Sequence, residues 1–322
     1  MSRTDVKIIV AKYRMENDMK RQRLITLVII IVLLAVLFAV SGSFRQNVSE
    51  VLGIELPASE EQTLAPDKPT DTAEIHIIDV GQGDSTLVTT GEFNLLNDAG
   101  TGKAEEKLVA YLKDAGVERI DIMLLTHPHE DHIGGADVVI DEFEVGEIIM
   151  PDATTNTKAF ERVLDGAEDK SIPISTVFRG DSFTEGGFKF EILSPDDKRY
   201  SDLNNTSIVL KLTWGEVSMM FTGDAEALVE GEILDAYSEA DLECIFYKAA
   251  HHGSTTSNTP AFVEAVSPKY VSISCGEGND YGHPHAEILA LFDELRLDVR
   301  RTDRCGSIVY ETDGKSFSPV EK

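Results

Sequence analysis

The rhythm of apolar and polar positions changes twice along the chain. Residues 24–40, LITLVIIIVLLAVLFAV, run for seventeen positions without a charge and are apolar but for Thr26. That length lies near the lower limit for a helix crossing a bilayer, and the missing polar face argues against a helix half-buried in a core. Residues 41–73 then lose periodicity; they hold three prolines and many acids and read as a linker. From residue 74 short apolar runs begin. AEIHIID, STLVTT and FNLLN, parted by glycine-containing turns, predict a meander of strands. KAEEKLVAYLKDAG carries apolar residues at helical spacing and stops at Gly116. IDIMLLT predicts a buried strand and ADVVIDEF a helix. Strands follow at FKFEILS, SIVLKLTW, VSMMFTG, CIFYKAA and KYVSISCG, and helices at AEALVEGEILDAY, TPAFVEAV and AEILALFDELR. SIVYETDGKSFSPV predicts a closing hairpin around Asp313-Gly314.

Strands and helices alternate without a glycine-rich phosphate loop. That predicts an α+β arrangement of sheets covered by helices, with no nucleotide cofactor. Charge then orients the chain. Arg14, Lys20, Arg21 and Arg23 precede the apolar run, and Glu50, Glu55, Glu60 and Glu61 follow it. The excess of basic residues on the first side predicts a cytoplasmic leader (1–23), a transmembrane anchor (24–42), a linker (43–73) and an extracellular domain (74–322). A cleaved signal peptide is the rival, since Ala39-Val40-Ser41 resembles a peptidase site. The net charge of −28 disfavours loose electrostatic binding to nucleic acid or anionic lipid. It leaves room for an anionic substrate whose charge is met by a metal ion. Cys244, Cys275 and Cys305 form no CxxC pair, so a structural zinc cluster is not expected.

Eight histidines stand at 76, 127, 129, 132, 251, 252, 283 and 285, and none lies between His132 and His251. Three of them fall within THPHEDHIGG, directly after an apolar strand. His127 and His129 can clamp one cation, and Asp131 and His132 a second; imidazole with carboxylate suits zinc, manganese or iron. The plainer alternative is a polar loop in which Asp131 caps the next helix. Phe221-Thr222-Gly223-Asp224 also follows a strand. Alone, Asp224 would be taken for an N-cap; beside the first cluster it is a candidate bridging carboxylate. His251-His252-Gly253-Ser254 and Tyr281-Gly282-His283-Pro284-His285 sit at further strand ends, where sites are usually assembled. Their plainer alternatives are a satisfied histidine pair and a helix-opening turn.

HPHEDHIGG matches the HxHxDH signature of the metallo-β-lactamase superfamily, and TGD resembles its bridging-aspartate motif. HIIDVGQGDS (76–85), NDAG (97–100), NNTSIVL (204–210), AAHHGS (249–254), NDYGHPH (279–285) and RTDRCGSI (301–308) resemble the soluble metallohydrolase domain of the ComEC competence-protein family. The resemblance covers about residues 74–320 and omits that family's many-spanning channel. It implies an αββα sandwich with two divalent ions, zinc or manganese, at one edge. His127 and His129 would hold the first ion, Asp131 and His132 the second, and Asp224 both. His252 would complete the second site, with His251 as the alternative. Two departures stand out. No histidine lies near Asn204, so the first ion would be completed by Asp84, Asn204 or water. Asn97 also occupies a position that is usually apolar. Cys305 replaces a usually acidic residue, and both it and Cys275 are unusual, which suggests that they pair as a disulfide; three unpaired cysteines are the plainer alternative.

Two such ions activate water at neutral pH and stabilise an in-line displacement at phosphorus. Asp131 would orient the water, and His283 or the non-ligand member of His251/His252 would protonate the leaving oxygen. Ser254 and His285 stand beside them as auxiliary groups. The resemblance thus implies a membrane-anchored phosphodiesterase acting on nucleic acid. A phosphorylcholine-type esterase of the cell wall and a non-catalytic anchored binding protein are the alternatives.

Overall fold

The computed structural model describes residues 72–321. The expected anchor at 24–42 lies outside them. Among the described residues no helix is long and apolar enough to cross a membrane.

Among the described residues fifteen strands build two sheets. The first contains β1 (Ala73–Ile77), β2 (Ser85–Thr89), β3 (Asn94–Ala99), β4 (Arg119–Leu124), β5 (Glu144–Met150), β6 (Ile174–Thr176), β14 (Ile308–Thr312) and β15 (Phe317–Pro319). Its order is β15-β14-β1-β2-β3-β4-β5-β6. The second contains β7 (Ser182–Glu185), β8 (Phe188–Ser194), β9 (Val209–Trp214), β10 (Val217–Phe221), β11 (Phe246–Lys248), β12 (Tyr270–Ile273) and β13 (Asp298–Arg301). Its order is β13-β12-β11-β10-β9-β8-β7. Each sheet is antiparallel on one side and parallel on the other: β3 to β6 run parallel in the first, β10 to β13 in the second.

Side-chain alternation makes the layers. On β4, Ile122 and Leu124 face the space between the sheets, while Met123 and the following Leu125 face outward. On the second sheet Phe188, Phe190, Met219 and Phe221 fill the same inner layer, and Met220 points away. The outer face of the first sheet is covered by α1 (Glu105–Asp114), α3 (Ala136–Glu142) and α4 (Lys158–Lys170). The short α2 (Glu130–Ile133) precedes α3. The outer face of the second is covered by α5 (Ala227–Ala236), α7 (Pro260–Val266) and α8 (Ala286–Glu294), with α6 (Glu239–Leu242) and α9 (Thr302–Cys305) as single turns. The result is the expected αββα sandwich. α1 buries Leu108 and Leu112, one turn apart.

β5 and α4 were not anticipated. α4 is amphipathic, burying Ala159, Phe160, Val163 and Ala167, and Thr157 caps it by accepting from the Phe160 amide at 3.4 Å. The hairpin at 308–319 forms as expected, with Asp313 accepting from the Ser316 and Lys315 amides.

The expected Cys275–Cys305 disulfide is absent: all three cysteines are free thiols. Cys275 is buried, and its thiol donates to the Asp303 carboxylate at 3.3 Å. Cys305 lies exposed at the far end of α9. Burial, with the neighbouring Asp303 charge, pushes the Cys275 thiol up to about 11, which leaves it unreactive at neutral pH.

Candidate metal centre

The site lies where the parallel strands of both sheets end. β4 delivers Thr126 to His132, β10 delivers Asp224, β11 delivers His251 and His252, and the loop after β12 delivers His283. Close backbone packing sets the first segment. A Cβ on Gly135 would come within 2.5 Å of the Ala99 carbonyl, and one on Gly134 within 2.4 Å of the Gly102 nitrogen. Only glycine lets α2 lie this near β3.

Asp131, His132, Asp224 and His252 each turn a ligand atom into one small space, all within 4.8 Å of one another. His132 Nε2 lies 3.2 Å from Asp224 Oδ1, and His252 Nε2 lies 3.2 Å from Asp131 Oδ2. Partners behind the rings fix their tautomers. His132 Nδ1 is 2.8 Å from Asp98 Oδ2, and His252 Nδ1 is 3.0 Å from the Ser274 carbonyl. Each Nδ1–H is therefore committed to an oxygen, and each Nε2 lone pair faces the centre. His132 Nε2 and Asp224 Oδ1 are buried and make no hydrogen bond. Acceptors facing acceptors at this depth fit a bound cation.

The carboxylates grouped here favour positive charge at this position, whether it is carried by a proton on the ring or by a metal ion. Burial opposes protonation of His132, but the carboxylates of Asp224 and Asp98 outweigh it and hold the ring well above its ordinary value. Burial likewise opposes ionisation of Asp224, yet His132 and His252 hold it well below the usual carboxylate range. His127 is lowered by burial and by His132.

A second position adjoins the first. His127 Nε2 and His129 Nδ1 are 3.0 Å apart, and Asp224 Oδ2 lies 3.9 Å from His127 Nε2. The same Asp224 oxygen is 3.7 Å from both His251 Nε2 and His252 Nε2. Asp224 thus stands among four imidazoles. It does not cap α5, whose N-cap is Glu226. Asp131 lies inside the first turn of α2, whose N-cap is His129.

The other expected residues divide. His283 and Asn204 line the adjoining cavity of about 300 Å³ together with His129, Asp131 and Asp224, and with Gln82 and Glu130, to which no role was assigned. The Asn204 Oδ1 is buried without a hydrogen-bond partner. Burial, then the flanking His252, His251 and His285, push His283 down to about 4, so at neutral pH it is a neutral imidazole. Asp84 is not at the first-ion position. Lys248 Nζ holds its carboxylate at 2.8 and 2.9 Å, behind His252. Ser254 is buried off the cavity and accepts from Thr256. His285 is tied to Thr255, fastening the 251–254 turn to the start of α8. Asn97 is buried in β3, and nothing in the structure explains its choice over an apolar residue.

Sequence reasoning missed the groups that aim the ligands. Asp98 accepts from the Thr126 amide (2.7 Å) and hydroxyl (2.8 Å) as well as from His132. His251 and His252 both adopt left-handed backbone (φ 49° and 54°), unusual for non-glycine residues. Asn258 holds them there: its Oδ1 accepts from the Ala250 amide, and its Nδ2 donates to the Ala250 and Ser254 carbonyls. Glu230 in turn accepts from the Asn258 and Thr259 amides. The available signals were a glutamate on the apolar face of AEALVEGEILDAY and a lysine inside the strand CIFYKAA.

The chain belongs to the metallo-beta-lactamase superfamily, which it matches over residues 78–277. Its curated relatives include ComEC-family competence proteins. It is 31% identical over 255 residues to ComE operon protein 3 of Bacillus subtilis, covering 74% of this chain and 33% of that protein. It is 31% identical over 244 residues to Competence protein ComA of Neisseria gonorrhoeae, covering 75% of this chain and 33% of that one. The chain therefore spans about a third of the length of these relatives. Among solved structures it resembles the metallo-beta-lactamase fold protein YhfI of Bacillus subtilis (TM-score 0.52, 14% identity, 74% of this chain and all of that one). It also resembles Igni18, a metallo hydrolase of Ignicoccus hospitalis (TM-score 0.50, 13% identity, 74% of this chain and 99% of that one). At these identities the two structures speak for the fold alone.

Proposed function

We propose that this protein is a membrane-anchored, metal-dependent phosphodiesterase that acts on nucleic acid outside the cytoplasmic membrane. The observation that carries the hydrolase reading is the convergence of Asp131, His132, Asp224 and His252, with both Nε2 lone pairs turned inward by partners behind them. Two divalent ions bound there would polarise a phosphoryl oxygen, activate water and offset the developing charge.

The chain's own residues supply the rest. Asp224 is the carboxylate shared by both positions, with His127 and His129 on one side and Asp131, His132 and His252 on the other. Asp131 turns Oδ2 to the same space as His252 Nε2, 3.2 Å away, where the two would hold the ion together, and its other oxygen is left to take a hydrogen bond from the attacking water. His283, on the cavity wall, can donate an N–H hydrogen bond to the leaving oxygen, and the proton that this oxygen takes up comes from His251 or from solvent water. Asn204, with its unpartnered Oδ1, takes the place of the missing first-ion histidine. Support for nucleic acid comes from the likeness to competence proteins. Support for the anchor comes from the uncharged run at 24–40 and the basic residues before it.

The test is the full-length protein in detergent, stripped by chelation and reconstituted with zinc or manganese. Two ions should bind with unequal affinity. Turnover should appear on bis-p-nitrophenyl phosphate and DNA, ahead of choline-phosphate esters and β-lactams. Metal content near zero after reconstitution would end the enzymatic reading. A C-terminal alkaline phosphatase fusion should be active; a silent one beside an active cytoplasmic reporter would reverse the topology.

A further inference from the structure

We infer that Tyr281 is a stacking platform for a nucleobase next to the scissile phosphate, which makes single-stranded nucleic acid the preferred substrate. The inference rests on the phosphodiesterase reading and adds a recognition element to it. Tyr281 is 68% exposed, the only exposed aromatic residue among the described residues. Lone exposed apolar side chains are ordinary on protein surfaces, but this one lines the cavity of the metal centre. Its inner face lies against the His283 ring (centroids 5.7 Å apart, planes at 21°), and His283 stacks in turn toward His252 (6.0 Å, 29°). Tyr281 is thus the outermost ring of a column that ends at a candidate ligand, and its outer face is open.

The platform is held in place. Asn279 clamps the loop, donating from Nδ2 to the Gly276 and His283 carbonyls (2.9 and 2.6 Å) and accepting at Oδ1 from the Tyr281 and His283 amides (3.2 and 3.0 Å). A ring fixed before binding loses little freedom when a ligand stacks on it. Every base has a flat π face, so such a ring binds bases with little sequence preference. A base can reach it only after leaving its neighbours in the duplex, hence the preference for single strands.

The experiment uses the full-length, metal-reconstituted protein and two probes of equal length and charge, an oligothymidylate and its abasic analogue. The wild type should show a KM for the oligothymidylate about five- to a hundred-fold lower than for the abasic chain. Y281A should raise the first KM to the second, with kcat and thermal midpoint little changed, and Y281W should restore the preference. Equal KM values for the two probes in the wild type, or a preference that survives Y281A, would overturn the platform while leaving the phosphodiesterase intact. Dependence on Tyr281 confined to p-nitrophenylphosphorylcholine would assign the ring to a quaternary ammonium instead. No cleavage of either probe would end the nucleic-acid reading, and this inference with it.

Discussion

Asp224 concentrates the chemistry of the site in one side chain. Two adjacent dications repel, and a shared carboxylate offsets that repulsion while fixing their spacing. Asp224→Ala should therefore abolish hydrolysis. The fold should survive, because the residue follows β10 and does not cap α5. Glu130 is the matched control: it accepts from the Gly102 amide at 2.9 Å and fastens a loop. Glu130→Ala should keep near-normal turnover and lose at most about 1 kcal/mol of stability. Steady-state kinetics with thermal melts decide both, and equal damage at the two positions would refute the division of roles. Asp98 acts one layer further out. Asp98→Asn keeps the shape but disturbs the hydrogen bond that turns His132 Nε2 inward, so metal affinity should fall about 10- to 100-fold. Competition with a chromophoric chelator measures it, and an unchanged affinity would show that His132 needs no such orienting partner.

Between elements, the second half of the site depends on a clasp between α5 and the 250–259 segment. Its two histidines hold left-handed backbone, which persists only where neighbours enforce it. Asn258 is the main enforcer, itself at φ 61°. Asn258→Ala leaves the Tyr247 hydroxyl and the Ala250 amide and carbonyl without this partner. It should cost about 2–4 kcal/mol and weaken metal binding together with stability. Denaturant midpoints that match the wild type would show that the turn is held by something else. This clasp also marks how far the sequence could be read. THPHEDHIGG and FTGD were legible because their ligands are consecutive and follow apolar strands. The layer behind was not, because Asp98 meets Thr126 and His132, Lys248 meets Asp84, and Glu230 meets Asn258 only across long stretches of chain. The same limit explains the cysteines: their place in the pattern said nothing about Asp303, which engages the Cys275 thiol. α4 went unread although its apolar spacing and Thr157 cap are both local signals.

At the scale of the whole molecule, charge and the proposed substrate pull against each other. Proteins that hold nucleic acid through a basic surface lose affinity as salt rises, because counterions released on binding must be recaptured. This chain carries a net charge of −28, so its far field repels a polyanion, and attraction is confined to the metal centre. Salt screens long-range repulsion between exposed charges more than contacts inside a partly enclosed site, since the Debye length falls from ~30 Å at 0.01 M to ~8 Å at 0.15 M. The KM for an oligothymidylate should accordingly fall as salt rises across that range, while the KM for the small, singly charged bis-p-nitrophenyl phosphate changes much less. Measuring both in the same titration separates the long-range effect from any direct effect of salt on the metals, which would move the two substrates together. A KM for the oligomer that climbs steeply with salt would mean that a basic surface, hidden by the net charge, does the binding.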